Sequence, residues 1–253
     1  MAVNLYFVGT AGSGKTTLTK AFKDWMDQQG YQAVTVNLDP GADELPYTVD
    51  IDVRDWVSLS EVMSENELGP NGAQIVSADM VAMNAQEIRE VMEEFECHYF
   101  LIDTPGQMEL FTFRQASREM VNTLGERSLI TFLFDPVLSK QPSGFVSLMT
   151  LAATTQFRFD VPYFPLLSKA DVLTEEEIEQ IKTWSKDFWR LDTALRERAT
   201  VETQVSIELI KSIQNMGLQR GITPVSSREM FGIEDIYTAV QDAFFGGEDL
   251  IVD

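Results

Sequence analysis

The chain has 253 residues, 44% of them hydrophobic, which is enough for one α/β domain with a sizeable core. Its 40 acidic residues outnumber its 19 basic residues and give a formal charge of -21, so its averaged field repels nucleic acid and anionic membranes. We therefore expect no direct, sequence-independent binding of DNA or RNA. The single Cys97 fits a reducing compartment, and no apolar run approaches the ~20 residues of a membrane helix. We expect a cytoplasmic protein.

The first motif follows an apolar, β-prone run at residues 4–8 and precedes helical spacing over 18–26. It reads Gly9-Thr10-Ala11-Gly12-Ser13-Gly14-Lys15-Thr16-Thr17 and fits the phosphate-loop pattern G-x-x-x-x-G-K-[ST]. The strand, turn and helix around the pattern favour a nucleotide site over a glycine-rich turn without function. We expect the backbone around Gly12, Ser13, Gly14 and Thr17 to bind phosphates. Lys15 should reach the β- and γ-phosphates, and the Thr16 hydroxyl should bind Mg²⁺.

A second strand is predicted over residues 33–38, and it ends at Asp39-Pro40. This spacing is typical of a βαβ unit. A carboxylate at the end of a strand that faces the phosphate loop can hold metal-bound water or the attacking water, so Asp39 is a candidate metal and catalytic residue. Four other acids of the loop over residues 39–55 are expected to be solvated: Asp43, Glu44, Asp50 and Asp52.

A third strand is predicted over residues 98–102, and it runs into Asp103-Thr104-Pro105-Gly106-Gln107. Asp103 is expected to bind Mg²⁺ through water, and the Gly106 N–H to contact a γ-phosphate. Gln107 and Glu109 are candidates for orienting or polarising the attacking water. Cys97 and His98 precede the strand, but as a lone pair they lack the ligand number of a metal site, so we expect them to pack.

Two further strands, at residues 128–134 and 163–167, lead to Ser168-Lys169-Ala170-Asp171. Guanine presents its N1–H and its 2-amino group together, and one carboxylate can accept both, whereas adenine offers no such pair. We therefore predict that Asp171 selects guanine and that the Lys169 stem lies along the base. A sixth strand at 222–225 should bring the backbone N–H groups of Ser226 and Ser227 to the guanine O6.

The remaining segments are mostly helical in spacing. Helices are predicted over residues 56–65, 80–95, 143–157 and 232–245, with a turn at Gly69-Pro70-Asn71-Gly72. Residues 171–216 are long and helical, and we expect their interleaved aromatics Trp184, Phe188 and Trp189 in the core. Arg114 and Arg118 are expected on the surface. The pattern predicts a three-layer α/β/α phosphate-loop NTPase fold, with a mostly parallel sheet and helical insertions.

Taken together, these motifs resemble those of the GPN-loop GTPases along nearly the whole chain. The phosphate loop and Asp103-Thr104-Pro105-Gly106 are shared by many GTPases, and Gly69-Pro70-Asn71 is the motif that names the family. Together with Asp39-Pro40 and Asp52-Val53-Arg54-Asp55 it makes the resemblance specific. The compact length is similar to that of archaeal members. The resemblance implies a single GTPase domain over residues 1–253, a GPN-loop insertion over 66–74 and a helical insertion over 172–217.

The resemblance also implies a mechanism. GTP would be hydrolysed with Mg²⁺ to GDP and phosphate, with Asp39, Gln107 and Glu109 around the attacking water. A homodimer would bring Asn71 of one protomer to the nucleotide of the other, as an uncharged stand-in for an arginine finger. Eukaryotic relatives imply a role in RNA polymerase assembly. Two positions depart from related patterns: Ser168 replaces Asn in the base motif, and Thr10 replaces a lysine found in some relatives.

Two other classes remain open from the residues. A phosphotransferase would share the phosphate loop but needs an acceptor pocket and usually an arginine-rich lid. A nucleotide-dependent scaffold would bind GTP without releasing phosphate. Free phosphate, measured against a phosphorylated product, separates these classes.

Overall fold

The computed structural model describes residues 2–197, 201–248 and 250. Its strands are β1 (Val3–Gly9), β2 (Ala33–Asn37), β3 (Ile51–Asp52), β4 (Tyr99–Asp103), β5 (Ser128–Phe134), β6 (Tyr163–Leu167) and β7 (Thr223–Pro224). They form one sheet in the order β3-β2-β4-β1-β5-β6-β7, and every neighbouring pair in it is parallel. The predicted fold class is confirmed, and β5 and β6 have their predicted bounds.

The helices connect the strands and cover the sheet. They are α1 (Lys15–Gln28), α2 (Leu59–Glu65), α3 (Pro70–Met83), α4 (Ala85–Glu93), α5 (Met108–Phe111), α6 (Gln115–Leu124), α7 (Pro136–Ser139), α8 (Pro142–Phe159), α9 (Glu175–Lys186), α10 (Phe188–Arg196), α11 (Val201–Asn215) and α12 (Ile233–Phe244). Short 3₁₀ turns lie at Val53–Asp55 and Ala170–Val172. In the described residues, no helix combines the length and the apolar character that crossing a bilayer requires.

Both faces of the sheet are buried under helices. Successive residues of a strand point to opposite sides, so they pack in different clusters. In β1, Leu5 and Phe7 pack in one apolar cluster, while Tyr6 and Val8 pack in the other. The first cluster is covered by α1 and α12, and the second by α2, α3, α4, α5, α6, α8, α9, α10 and α11. Because the strands are parallel, their carboxyl ends all lie at the same end of the sheet. The predicted site residues follow the strands there.

Two predictions between β2 and β4 were wrong. The acidic loop over 39–55 contains the short strand β3, which pairs with the end of β2. The single helix predicted over 80–95 is two helices, because α3 ends at Met83 and α4 begins at Ala85. Between them, the Asn84 side chain donates from Nδ2 to the Met80 carbonyl oxygen at 2.9 Å. Asparagine side chains that bond to nearby backbone in this way compete with helix continuation.

The Gly-Pro-Asn-Gly segment is also different from the predicted turn. Pro70 is the first residue of α3, and Gly69 is its N-cap with a φ of -73°. A proline suits this first helical position because its missing N–H would have no partner inside the helix. Asn71 is therefore exposed in the first turn of a helix, rather than in an irregular loop.

The predictions for the helical segment after Asp171 and for the arginines had mixed outcomes. Trp184 and Phe188 are buried as predicted, but Trp189 is 74% exposed, since it lies next to Phe188 on a different side of α10. Residues 198–200 of this segment lie outside the described residues. Arg118 is exposed as predicted, whereas Arg114 is half-buried and donates from Nε to Asp79 Oδ1 of α3 at 2.6 Å. This ion pair fastens α6 to α3.

Cys97 and His98 lie far from the site residues, at the amino ends of the strands. Both are half-buried in the wall of a cleft of about 820 Å³. Burial raises the pKa of the Cys97 thiol to about 11, so this thiol stays protonated at neutral pH. In the described part of the chain, no three His, Cys, Asp or Glu side chains form a group that could hold a metal ion.

Candidate functional site: a phosphate loop and a base pocket

The phosphate loop joins β1 directly to α1. Gly12 and Gly14 have φ angles of 74° and 99°, in the left-handed region that glycine adopts without strain. Gly9 has no room for a side chain, because an added Cβ would lie 2.9 Å from the Leu133 carbonyl oxygen. The Ser13 N–H donates to the Thr10 carbonyl oxygen at 3.1 Å, inside the loop. Gly14 is the N-cap of α1 and no side chain caps this helix, so the N–H groups of its first turn and the helix dipole favour an anion there.

Lys15 is buried at the centre of this loop, with 5% of its surface exposed. Its ammonium donates to the carbonyl oxygens of Gly9 at 3.0 Å, Thr10 at 3.2 Å and Gly106 at 3.1 Å. Burial lowers the pKa of Lys15, while the charges of Asp103 and Asp39 oppose this shift. The lysine is thus held at the junction of the phosphate loop and the segment after β4.

Asp103, at the end of β4, is the buried carboxylate of the site. Burial raises its pKa to about 6, and Thr16, Tyr47 and Lys15 lower it in part. Tyr47 donates its hydroxyl to Asp103 Oδ2 at 3.1 Å, whereas Oδ1 is buried and accepts no hydrogen bond. A buried carboxylate oxygen without a partner is costly unless an ion or water joins it.

Asp39 follows β2 and links two loops. Its Oδ1 accepts from the Gly41 N–H at 2.9 Å, and its Oδ2 accepts from the Gly106 N–H at 3.2 Å. The Asp39 N–H donates in turn to Asn37 Oδ1 at 3.0 Å. The structure therefore brings Asp39 together with the phosphate loop and the Asp103 segment, three stretches that are far apart in sequence.

The ion pair of Arg54 and Asp52, near Asp39, was not predicted from the sequence, because Asp52 was expected to be a solvated acid. Arg54 donates to both oxygens of Asp52, and its Nη1 donates to the carbonyl oxygens of Ala42 and Asp43, each at 3.0 Å. Although burial opposes it, the Arg54 contacts lower the pKa of the Asp52 carboxyl. The family motif that contains both residues was a signal for this contact, but no local pattern identified its backbone acceptors.

Tyr47 was also missed as a site residue. Burial and the neighbouring Asp103 raise the pKa of its hydroxyl, so it remains a donor at all physiological pH values. Its position in an acidic loop gave no indication that it would reach a carboxylate 56 residues away. Tyr47 and Asp39 therefore fasten the loop over 39–47 across the phosphate end of the site.

The other predicted catalytic residues lie at the rim. Gln107 is exposed at the N-cap of α5, and Glu109 is exposed in the first turn of that helix. Asn71 is exposed, one helical turn before Gln74. The Gln74 side chain packs close to Gly41, since a Cβ added at Gly41 would lie 3.4 Å from Gln74 Nε2. The helix that carries Asn71 thus borders the Asp39 loop, and Asn71 itself is displayed outward.

A cavity of about 220 Å³ lies beside the phosphate loop, and Gly14, Thr17, Ser168, Lys169 and Asp171 are among the residues that line it. Lys169 has a φ of 50°, and its Nζ donates to the Gly12 carbonyl oxygen at 2.6 Å. The Ser168 hydroxyl donates to the Phe134 carbonyl oxygen at 3.1 Å, so it holds the end of β6 against β5. The base motif therefore forms one wall of a cavity that is continuous with the phosphate loop.

Ser226 has a different position from the predicted one. Its N–H donates to the Phe231 carbonyl oxygen at 3.0 Å and is not directed at the cavity. Its hydroxyl instead donates to Asp171 Oδ1 at 2.6 Å, which orients that carboxylate at the cavity wall. Ser227, the next residue, does line the cavity.

Comparison with known proteins gives a consistent result. The profile of a family described as "Conserved hypothetical ATP binding protein" matches residues 7–245. The chain is 33% identical over 240 residues to the GPN-loop GTPase PAB0955 of Pyrococcus abyssi, covering 94% of this chain and 96% of that protein. It is 28% identical over 243 residues to GPN-loop GTPase 1 of Dictyostelium discoideum, covering 94% of this chain and 60% of that longer protein. The crystal structure of PAB0955, a GTPase in apo form, superposes with a TM-score of 0.85 at 32% identity, over 95% of this chain and 96% of that one.

Proposed function

This chain belongs to the GPN-loop GTPase family, and from that membership we propose that it binds GTP and hydrolyses it to GDP and phosphate. The three-layer fold and the phosphate loop are those that phosphoryl transfer from nucleotides requires. The enzyme is cytoplasmic in this proposal. Residues 66–74 and 172–217 are insertions in a single GTPase domain.

The observation that carries the guanine assignment is the orientation of Asp171 at the cavity wall. Ser226 occupies one lone pair of Oδ1, and the remaining acceptor capacity of the carboxylate is enough for the N1–H and 2-amino group of guanine. Adenine presents an acceptor at N1 and would leave the carboxylate unpaired. The geometry therefore favours GTP over ATP, although the matching family profile is described as ATP-binding.

The residues present fit a magnesium ion. The orphaned Oδ1 of Asp103 and the nearby Thr16 hydroxyl are hard oxygen donors, which Mg²⁺ prefers together with water and phosphate oxygens. Thr16 and Asp103 would hold the ion, and Asp39 would contribute through water. When bound, Mg²⁺ neutralises charge on the phosphate oxygens.

The chain's own residues provide the positioning. Lys15 and the N–H groups around Gly12, Ser13, Gly14 and Thr17 bind the phosphates, and the Gly106 N–H meets the γ-phosphate. Asp39, Gln107 and Glu109 orient the attacking water for in-line displacement. Because Gln107 and Glu109 are exposed at the rim, they complete the site only when a second surface excludes bulk water.

A second copy of the chain is the proposed source of that surface. Asn71 of one protomer would donate its amide to the phosphates bound by the other, where charge develops as the γ-phosphoryl group leaves. Exposed apolar side chains along the helix that carries Asn71 support an interface: Ile75 and Met83 on α3 are 45% and 83% exposed. Phe113 and Phe157 are 42% and 83% exposed. Their segments lie together, because Arg158 Nη2 donates to the Phe113 carbonyl oxygen.

We further propose, by family analogy alone, that this dimer acts as a switch. GTP would close the two protomers and hydrolysis would relax them, which would serve the assembly of a large protein partner such as RNA polymerase.

Nucleotide titration of the parent chain and of Asp171→Asn tests the base assignment. The parent should bind a GTP analogue at least about 100-fold more tightly than the matching ATP analogue, because a mismatched base leaves a polar pocket unpaired. The substitution introduces an amide donor, so the affinity for GTP should fall. The affinity for xanthosine triphosphate, which has a carbonyl in place of the 2-amino group, should rise. The exposed Glu175→Gln serves as the matched control. Equal parent affinities for GTP and ATP would refute the assignment.

Mixing two inactive variants tests the shared site. Asn71→Ala has intact pockets without the donated amide, and Lys15→Ala has the amide without a working pocket. Random mixing should restore about a quarter of parental phosphate release, since half of the dimers are mixed and each has one complete site. No recovery in verified mixed dimers would refute donation between protomers. Release of free phosphate, and not a phosphorylated acceptor, would exclude the phosphotransferase and scaffold alternatives.

A further inference from the structure

The Asp39 carboxylate already accepts the hydrogen bond of the Gly106 N–H, which the γ-phosphate would need. Asp39 Oδ2 accepts from the Gly106 N–H at 3.2 Å, across 67 residues of sequence. The other oxygen, Oδ1, accepts from the Gly41 N–H at 2.9 Å. Asp39 therefore lies in the phosphate site as an internal anion.

The position of the Gly106 peptide identifies which phosphate this anion imitates. The carbonyl oxygen of Gly106 accepts from Lys15 Nζ at 3.1 Å, so this residue lies at the lysine end of the site. Lysines of phosphate loops contact the β- and γ-phosphates. The Gly106 N–H, on the segment after β4, is thus at the far end of a bound triphosphate from the base cavity.

We propose that Asp39 is an internal competitor of the third phosphate, so that this contact sets how strongly the protein prefers a triphosphate to a diphosphate. The inference deepens the proposed function and rests on it. A γ-phosphate oxygen and the Asp39 carboxylate cannot both accept the same N–H at close range, because the two anions also repel each other. Binding a triphosphate must break the contact from Asp39 to Gly106, and binding a diphosphate need not.

Replacing the carbonyl contacts of Lys15 with phosphate contacts does not by itself make the protein prefer a triphosphate to a diphosphate. All three carbonyl contacts of Lys15 are made by its ammonium in the phosphate loop, and a β-phosphate, which GTP and GDP share, can draw the ammonium away from them. The cost of that exchange is therefore common to both nucleotides. The contact from Asp39 to the Gly106 amide stands in the way of the third phosphate alone.

The surrounding contacts can hold the loop in place when the Asp39 carboxylate is displaced. The bond to Gly41 is independent of Gly106, and Arg54 holds the Ala42 and Asp43 carbonyl oxygens at 3.0 Å. The loop can thus stay anchored while the carboxylate turns away from Gly106. The displaced carboxylate remains beside the third phosphate, as a water-orienting role requires.

Affinity measurements in EDTA test the competition without the metal. A non-hydrolysable GTP analogue and GDP are titrated into the parent, Asp39→Ala and Asp39→Asn. Removing the charged acceptor should strengthen binding of the analogue about tenfold, as expected for a hydrogen bond to a charged group, and change GDP affinity less than about threefold. The neutral amide oxygen in Asp39→Asn competes less well than the carboxylate and should give a smaller gain.

Asp43→Ala is the matched control, because it removes one exposed negative charge from the same loop without touching Gly106. If this control raises the analogue-to-GDP affinity ratio as much as Asp39→Ala does, the effect is general electrostatics and the inference is wrong. An unchanged or lower ratio in a folded Asp39→Ala protein, verified by circular dichroism, also overturns it.

The amide resonance of Gly106 gives a readout that does not depend on affinity. In nitrogen-15 spectra of the parent, this resonance should move with the triphosphate analogue and stay nearly in place with GDP, and in nucleotide-free Asp39→Ala it should already be shifted. Equal movement with both nucleotides would overturn the inference while leaving the GTPase proposal intact. A parent that binds neither guanine nucleotide would overturn both.

Discussion

Arg54 offers the most direct test of how the Asp39 loop is held. Its guanidinium contacts both oxygens of Asp52, including an Nη2 to Oδ2 distance of 2.6 Å, and holds two backbone carbonyl oxygens of the loop at 3.0 Å. The side chains of Arg54 and Asp52 are 34% and 16% exposed, so the pair is intermediate between a surface and a buried ion pair. We predict that Arg54→Met destabilises the native state by about 2 kcal/mol, between the values of ~0–1 for exposed pairs and ~3–5 for buried ones.

The pH dependence gives this prediction its sign. Because Arg54 keeps the pKa of Asp52 below its ordinary value, the ionised pair stabilises the folded state fully above about pH 4, the pKa of an unfolded aspartate. That stability is lost as the pH falls through the lowered pKa. The penalty of Arg54→Met should therefore be the same at pH 7 and pH 5 and should shrink below about pH 4.

Urea unfolding measures both effects. With an m-value of about 3 kcal/mol/M, a loss of about 2 kcal/mol moves the midpoint down by about 0.7 M. Arg118→Met is the matched control, since Arg118 is exposed, and its effect should stay within about 0.5 kcal/mol. A penalty for Arg54→Met no larger than that of the control, or one that grows at acid pH, would refute the reasoning.

Three further substitutions have clear expected outcomes. Lys15→Ala should weaken GTP binding at least about 100-fold in calorimetry, because it removes the one buried ammonium of the site, whereas the partly exposed Lys20→Ala should have little effect. Ser226→Ala should weaken GTP about fivefold to tenfold without changing ATP affinity, since Asp171 loses the hydroxyl that orients it at 2.6 Å; equal losses for both nucleotides would contradict this. Phe22→Ala, at a fully buried position between α1 and the sheet, should lower the unfolding free energy by about 3–5 kcal/mol, and a loss below about 1 kcal/mol would contradict the packing described for α1.

Strand positions were predictable where the sequence pattern is local and strong. The runs of β1, β4, β5 and β6 are mostly apolar and buried, and such strands are typical of a parallel sheet covered on both faces. The two-residue strand β3 was missed because it lies among acidic residues and has no apolar run around it. The break at Asn84 was missed because the bond from its side chain to the Met80 carbonyl oxygen, and not a glycine or proline, marks it.

The sequence by itself determined the phosphate loop, the carboxylates that end β2 and β4, and the base motif after β6, because each depends on neighbouring residues with fixed chemistry. Only the tertiary structure decided how these pieces meet. The contacts from Tyr47 to Asp103 and from Gly106 to Asp39 join residues 56 and 67 positions apart, and Ser226 reaches Asp171 across 55. Such pairings arise when separate strands align their carboxyl ends at one edge of the sheet, and no local sequence pattern specifies which side chains then come within hydrogen-bond distance.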